Sequence, residues 1–515
     1  MTQKKTNKTT IIGGTKPGKG AKAHASHGIE AVDAQAVNST ESRELYASRV
    51  QIHPKLAHGL YRKIKWLLLF ATLAVYYVLP WIRWDHGANA PDQAVLADFA
   101  GRRFYFFWIE LWPQEVYYIT GLLILGAFSL FLATALFGRV WCGYTCPQTI
   151  WTDLFIVVER WVEGDRNARI KLAKQPMRGQ RLVKTVIKHV IWLLISFVTG
   201  AAFILYFHDA PTITPAFFLG KAPGSAYLFA GILTFTTYSL AGLMREQVCT
   251  YLCPWPRIQA ALTDEDTLEV TYRGYRGEPR GPHKKKDSWE GRGDCIDCNL
   301  CVAVCPMGID IRDGDQLECI NCALCIDACD GVMKKIGRPV GLIAYDTEKN
   351  RQRHECGEKP KLNIIRARTI AYGSLITLIG ALMVVGLSTR SMLDLNVLRD
   401  RSPTYVRLSD GAIRNGYLVK VINKGTKTRQ FEISFSGLSD YSIKVIGQKI
   451  TGKTVLISAR ADEVRNVKMY VTLPKSQISV SGSSIPISID VSEQLADGKI
   501  GETQSNKSVF MTGMK

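Results

Sequence analysis

Acidic residues and widely spread cysteines are what this chain of 515 residues has little of. Lys and Arg number 65 against 45 Asp and Glu, a formal charge of +20. All 13 cysteines lie between Cys142 and Cys356, and the last 159 residues have none. Such confinement argues against a secreted disulfide scaffold, whose cysteines run through the whole chain. No apolar stretch follows the first basic residues, so no signal peptide is expected. The cations do not gather into one motif on a soluble stretch, which argues against nucleic acid as a partner.

Charge is missing altogether from five segments, 66–82, 116–137, 189–208, 226–244 and 369–388. Crossing a bilayer takes about 20 apolar residues. Any one segment could be a buried core helix, but five together predict a polytopic α-helical membrane domain. The loop 138–188 carries ten Lys or Arg, 83–115 three and 209–221 one. The positive-inside rule then predicts that the N-terminus, 138–188 and 245–368 face the cytoplasm of a bacterial inner membrane. Five spans put 389–515 in the periplasm, an oxidising compartment, and the absence of cysteine there agrees.

The predicted layout is a disordered basic tail over 1–44, a membrane domain with four spans over 45–265, a cytoplasmic domain with linkers over 266–368, a fifth span at 369–388 and an all-β domain over 389–515. The last contains "GYLVKVIN", "RQFEISF", "YSIKVIG", "KTVLISA", "NVKMYVTL" and "IPISIDV". Short alternating runs broken by Gly, Ser, Asp and Pro predict a sandwich of immunoglobulin type.

The cysteines carry the chemistry. Cys295, Cys298, Cys301 and Cys305-Pro306 form C-x2-C-x2-C-x3-C-P. Cys319, Cys322, Cys325 and Cys329 repeat the spacing, with Asp330 in place of the proline. Two such runs are the signature of a bacterial ferredoxin with two [4Fe–4S] clusters, in which the fourth thiolate of each run crosses to the other cluster. The expected ligand sets are Cys295, Cys298, Cys301 and Cys329 for one cluster, and Cys319, Cys322, Cys325 and Cys305 for the other. Zinc prefers two C-x2-C pairs per site and fits this pattern poorly.

Cys142 and Cys146 in "CGYTCP", and Cys249 and Cys253 in "CTYLCP", share the pattern C-x-Y-x-C-P. Each follows the second helix of a two-span unit, so the membrane domain reads as a repeat. Thiols at i and i+4 of a helix lie about 6 Å apart at Cβ. That is wide for a disulfide and suited to a soft metal such as Cu(I). Structural thiols at a helix end would show the same spacing, and Pro147 and Pro254 disfavour helix at the preceding cysteine. Cys356 is isolated and reads as an ordinary thiol. His189 and His208 are 19 residues apart, about 28 Å along a helix, and cannot share a metal. His86 and His208, both expected near the outer face, form a weak candidate site for a metal or a quinone.

"GRVWCGYTCPQTIWTDLFIVVERWVEGDR" (138–166), the preceding "RRFYFFWIELWPQEVYYITGLL", and "CTYLCPWPRIQ" together with the double ferredoxin run resemble the FixG/CcoG (RdxA) family. The resemblance covers roughly 45–510 and implies an inner-membrane oxidoreductase. It implies reduction of Cu(II) to Cu(I) for copper delivery during assembly of a cbb3-type cytochrome oxidase. Copper is then a substrate or transient ligand, and Cys142, Cys146, Cys249 and Cys253 are the catalytic, copper-handling residues. The implied partners are membrane lipid, copper ion, copper-delivery proteins and oxidase assembly proteins. The electron donor is left unidentified, and a homodimer is compatible with the resemblance. The alternative is a membrane ferredoxin of quinol-dehydrogenase type, passing electrons between the quinone pool and a respiratory partner. An assembly scaffold with clusters as staples is a third reading.

Overall fold

The computed structural model describes residues 29, 31–37, 51–87, 90–284, 287–425, 427–447, 451–478, 484–495, 497 and 499–513. Most of the expected tail over 1–44 lies outside these residues. The chain forms two compact units. One is built from Tyr117–Leu205 and Thr214–Ile379 with the described residues up to Leu79. The other is built from Pro80–Val116, Tyr206–Ile213 and Gly380–Lys515.

Five helices are long and apolar enough to cross a membrane: Leu60–Trp81, Pro113–Phe137, Gly179–Ile204, Gly224–Met244 and Ala367–Ser388. Large apolar side chains such as Leu67, Phe70, Leu123, Phe235, Leu382 and Val384 stay exposed along them, as lipid-facing residues would. The first and third spans begin earlier than their charge-free stretches. The added turns bring Arg62, Lys65 and Lys188, which are buried. Arg62 donates two 3.0 Å hydrogen bonds to Asp153. Charges at a helix end are affordable when paired in this way.

The first unit also contains the ferredoxin domain. Strands Glu269–Tyr272 and Ile343–Asp346 pair antiparallel. They cover the helices Leu300–Val304 and Leu324–Ile336 with a core that includes Val270, Ile326, Met333 and Leu342. Within the expected disordered tail, Ile29 is buried in this core. Val32 N–H donates to the Cys298 carbonyl, and Val37 N–H to Gly308. These residues are therefore docked, and only composition had argued for disorder there.

The second unit is a two-sheet sandwich. One sheet runs Thr451–Gly452, Ser442–Val445, Glu463–Leu473, Ile413–Asn423, Leu393–Arg399, with Val406–Arg407 also on Ile413–Asn423. The other runs Val455–Ala459, Arg429–Ser436, Ser484–Gln494, Ile500–Met511. Inward residues such as Tyr417, Val419, Val421, Phe431, Ile433, Met469, Ile489 and Phe510 form one core. Alternation along each strand, as in Val467–Met469–Val471–Leu473, places one face inside. A small antiparallel sheet of Val95–Asp98, Arg103–Phe106 and Ile109–Leu111 belongs to the same unit.

Candidate functional site

The eight ferredoxin thiols are arranged by a backbone device used twice. Asp297 and Asn299 flank Cys298 with φ of 53° and 55°, and Asn321 and Ala323 flank Cys322 with φ of 51° and 59°. Residues other than glycine seldom adopt this left-handed conformation. Alternating it around a cysteine turns successive N–H groups into a concave nest for an anion. The nest is what an iron–sulfur cluster with thiolate ligands requires, so these residues fit that cofactor.

The thiols fall into two groups. Burial, and after it Cys301, Cys298 and Cys295, hold the Cys329 thiol well above the ordinary range. Burial, then Cys322, Cys319 and Cys305, with Cys301 the smallest contributor, do the same at Cys325. Cys329 thus sits with the first three thiols of the first run, and Cys305 with those of the second. Burial also raises Cys305 to about 11, although N–H groups of Ile309, Met307 and Gly308 point at its sulfur and pull the value down. A bound iron would remove these protons outright. Among the described residues no three His, Cys, Asp or Glu side chains stand close enough to share one metal ion. A cubane takes one thiolate per iron, so its ligands are spread more widely than those of a single ion.

Asp330 explains the departure from the second C-P. Cys305 ends the helix Leu300–Val304, where a following proline is harmless. Cys329 lies inside Leu324–Ile336, and proline at 330 would remove an internal hydrogen bond. Asp330 instead accepts from Gly341 N–H at 2.8 Å.

The two C-x-Y-x-C-P motifs meet the ferredoxin domain. Cys142 and Cys249 pack in one apolar cluster with Cys305, Cys319, Cys322 and Cys325. Burial, then Cys146 and Cys249, push the Cys142 thiol up to about 12, and Cys253 adds to this. Burial, then Cys146 and Cys253, do so at Cys249, also to about 12. All four thiols are therefore neighbours. Cys142 Sγ donates to Gln259 Oε1 at 3.1 Å.

The pairs are not presented as i and i+4 on one helix face. Cys142 lies in the short helix Val140–Tyr144, whereas Cys146 is the N-cap of Pro147–Glu163. Cys249 lies in a π-helical turn, Val248–Leu252, with Cys253 at its end. Proline after each second cysteine starts a new helix there.

Residues between the thiols, which spacing alone did not single out, make the docking contacts. A Cβ on Gly143 would stand 2.5 Å from the Ile320 carbonyl oxygen. Tyr144 Oη donates to the Cys322 carbonyl at 3.3 Å, and Tyr345 Oη to that of Asn321 at 2.6 Å. Arg139 donates to the carbonyls of Leu317 and Cys319. Asp327 reaches the other way: its carboxylate accepts from Tyr61 N–H at 3.2 Å and Arg62 N–H at 2.7 Å. It thereby caps the first membrane helix.

A cavity of about 410 Å³ lies in the same unit. Arg169, Arg181, Lys188, Arg245, Glu163, His53, His189 and Trp192 are in its lining. Buried Glu159 pairs with Arg169 and Arg245. His189 shares a 2.9 Å hydrogen bond with Tyr238. His208 is not in this lining. Both ring nitrogens of His86 lie within hydrogen-bond distance of backbone carbonyls, of Pro91 and Phe107, so both are already occupied by protein partners. Cys356 is exposed at the end of Glu348–Glu355.

Membrane helices, a thiol-rich ferredoxin domain and an immunoglobulin-like sandwich define an iron–sulfur oxidoreductase of the membrane. Three family models match: a 4Fe-4S binding domain over 119–164, a 4Fe-4S dicluster domain over 244–348, and the IG-like fold at the C-terminus of FixG over 383–513. Nitrogen fixation protein FixG of Rhizobium meliloti is 50% identical over 478 residues, 87% of this chain and 91% of that protein. Protein RdxB of Cereibacter sphaeroides is 47% identical over 464 residues, 89% of this chain and 96% of its own length. The chain belongs to the FixG/RdxA family. A FixG-related protein from Vibrio parahaemolyticus, of known structure, is 21% identical over 24% of this chain and 97% of its own, with a TM-score of 0.19.

Proposed function

We propose that this protein reduces Cu(II) to Cu(I) at the bacterial inner membrane, supplying copper for assembly of a cbb3-type oxidase. In this reading Cys295, Cys298, Cys301 and Cys329 hold one [4Fe–4S] cluster, and Cys305, Cys319, Cys322 and Cys325 the other. The ferredoxin domain is cytoplasmic, because its thiols need reducing conditions and its flanking loops are basic; the sandwich is periplasmic. When bound, the clusters supply electrons one at a time, which is the stoichiometry of Cu(II) reduction. The protein holds them in its two nests and shields them from water.

The observation that carries the reading is the packing of Cys142 and Cys249 on the second thiol group. It supports an electron exit from the ferredoxin domain at the C-x-Y-x-C-P thiols. Sulfur at that exit favours the reduced ion, because copper shifts its preference from nitrogen and oxygen to sulfur on reduction. The test is anaerobic. Purified protein with reduced clusters is mixed with Cu(II) and a Cu(I)-specific chelator. Cluster reoxidation in step with Cu(I) formation is expected. Reoxidation by an added quinone alone would sink the copper reading. A quinone would favour the quinol-dehydrogenase type, for which the cavity beside His189 and Trp192 is the supporting observation.

A further inference from the structure

We propose that the 410 Å³ cavity holds the phosphate group of an anionic phospholipid. Position is the first support. Its walls are the opening turns of the third span, with Arg181, Thr185 and Lys188, the end of the fourth, with Gly242 and Leu243, and the helix Arg166–Ala173. These ends of two spans lie together, at the level where a bilayer carries its head groups. Basic pockets between spans at that level take anionic lipid head groups. Next to Arg181, Thr185 and His189 along the third span, Leu182, Val183, Val186 and Val190 are exposed. They give the acyl chains an apolar track leading to the cavity.

Charge is the second support. Arg169, Arg181, Lys188 and Arg245 line the cavity. Against them stand Glu163 in the wall, buried Glu159, which pairs with Arg169, Lys188 and Arg245, and Glu246 at 3.9 Å from Arg245. Four cations facing three carboxylates leave one positive charge, which a phosphodiester balances and an uncharged quinone does not. Burial, then Arg169, hold the His53 imidazole down to about 4, so it adds no charge at neutral pH.

Unused donors are the third support. Arg169 is 1% exposed, yet its Nε and Nη1 have no hydrogen-bond partner. Nε stands 3.6 Å from the Glu163 carboxylate, outside hydrogen-bond reach. Buried Nδ1 of His53 is unpartnered too. Buried donors left this way are costly, and phosphate oxygens are the acceptors that a guanidinium fits best. Arg181 donates to the Gln175 carbonyl and, among the described residues, has no carboxylate partner. Arg245 also lines the small cavity beside Cys249, so the two sites share a side chain. The lipid site goes beyond the copper reading and does not depend on it.

The experiment measures lipid binding. The full chain is purified in detergent, washed free of lipid and titrated with fluorescent phosphatidylglycerol. Saturable binding is expected, displaced by unlabelled phosphatidylglycerol and not by phosphatidylcholine. Arg181→Gln strands no carboxylate and should weaken binding about fivefold or more. Arg178→Gln removes an exposed cation of the same loop, outside the lining, and should leave binding unchanged. Cluster absorbance and its thermal midpoint should match wild type in both variants, which separates lost binding from lost fold. Equal weakening by the two variants, or displacement by phosphatidylcholine, overturns the proposal, because general surface charge or simple partitioning would then hold the lipid. Displacement by inorganic phosphate or by a short-chain quinone at the same concentration as the lipid would reassign the cavity and overturn it as well. The assay contains no copper, so failure of the copper reading would leave its result standing.

Discussion

Gly143→Ala is a one-methyl test of whether the membrane motif and the cluster loop form one machine. The added Cβ would stand 2.5 Å from the Ile320 oxygen and 3.1 Å from the carbonyl carbon and oxygen of Asn321. These are backbone atoms and cannot rotate away. Ordinary contact starts near 3.4 Å, so the loop 319–322 must withdraw by about 1 Å, with an overpacking cost of about 1–3 kcal/mol. That loop carries Cys319 and Cys322, and Tyr144 bonds to it at 3.3 Å. Misplacing a reacting group by about 1 Å costs up to about 100-fold in rate. The expected outcome is full iron content, earlier thermal loss of cluster absorbance, and Cu(I) formation slowed at least about tenfold. Gly126→Ala, whose Cβ would meet nothing within 4 Å, is the control. Wild-type rate and melting in Gly143→Ala would refute the docked geometry.

Asp327→Ala removes the carboxylate that caps the first membrane helix at Tyr61 and Arg62. The loss should be about 1–2 kcal/mol, read as a lower midpoint for thermal cluster loss. Asp330→Pro restores the usual C-P yet breaks Leu324–Ile336 and the bond to Gly341. It should cost about 3 kcal/mol and lower iron content, where Asp330→Asn should be mild. Asp310 gives a pH signature. Burial opposes its ionisation, but hydrogen bonds from the Arg312 side chain and backbone outweigh this and hold its carboxyl below the usual range. A depressed folded value stabilises the protein above the unfolded value of about 4, and this is lost as pH falls through the folded one. Arg312→Gln should therefore unfold at a higher pH in an acid titration, and equal midpoints would remove this pair from the acid response.

Charge-free runs located all five spans, because lipid tolerates few alternatives to an apolar helix. They misplaced helix starts, because Arg62, Lys65 and Lys188 look like loop residues until Asp153, Glu159 and Glu163 are seen to pair with them. Six sandwich strands were legible from alternation. Leu393–Arg399 and Ile500–Met511 were not: the second, with "GETQSNKS", is a polar edge strand that, among the described residues, pairs with Ser484–Gln494 alone. The cysteine spacing gave the thiols but not their neighbours. Gly143, Tyr144, Arg139 and Asp327 act through backbone carbonyls and N–H groups distant in sequence. No local pattern encodes such partners.

The two thiol motifs are alike in sequence and different in structure, and the ferredoxin domain explains why. A single domain cannot meet both halves of a repeated membrane unit in the same way. The first motif takes the contact: Gly143 and Tyr144 lie against the loop that carries Cys319 and Cys322. In the second, Tyr251 is exposed and the backbone relaxes into a π-helical turn. Cys249 there lines a cavity of about 30 Å³ with Lys65, Arg245 and Met307, and Arg245 also lines the 410 Å³ cavity. The first repeat thus holds the cysteine loop, and the second leaves a small space beside Cys249. Changes at Gly143 should then alter electron transfer itself, whereas changes around Arg245 should alter which molecules reach the thiols.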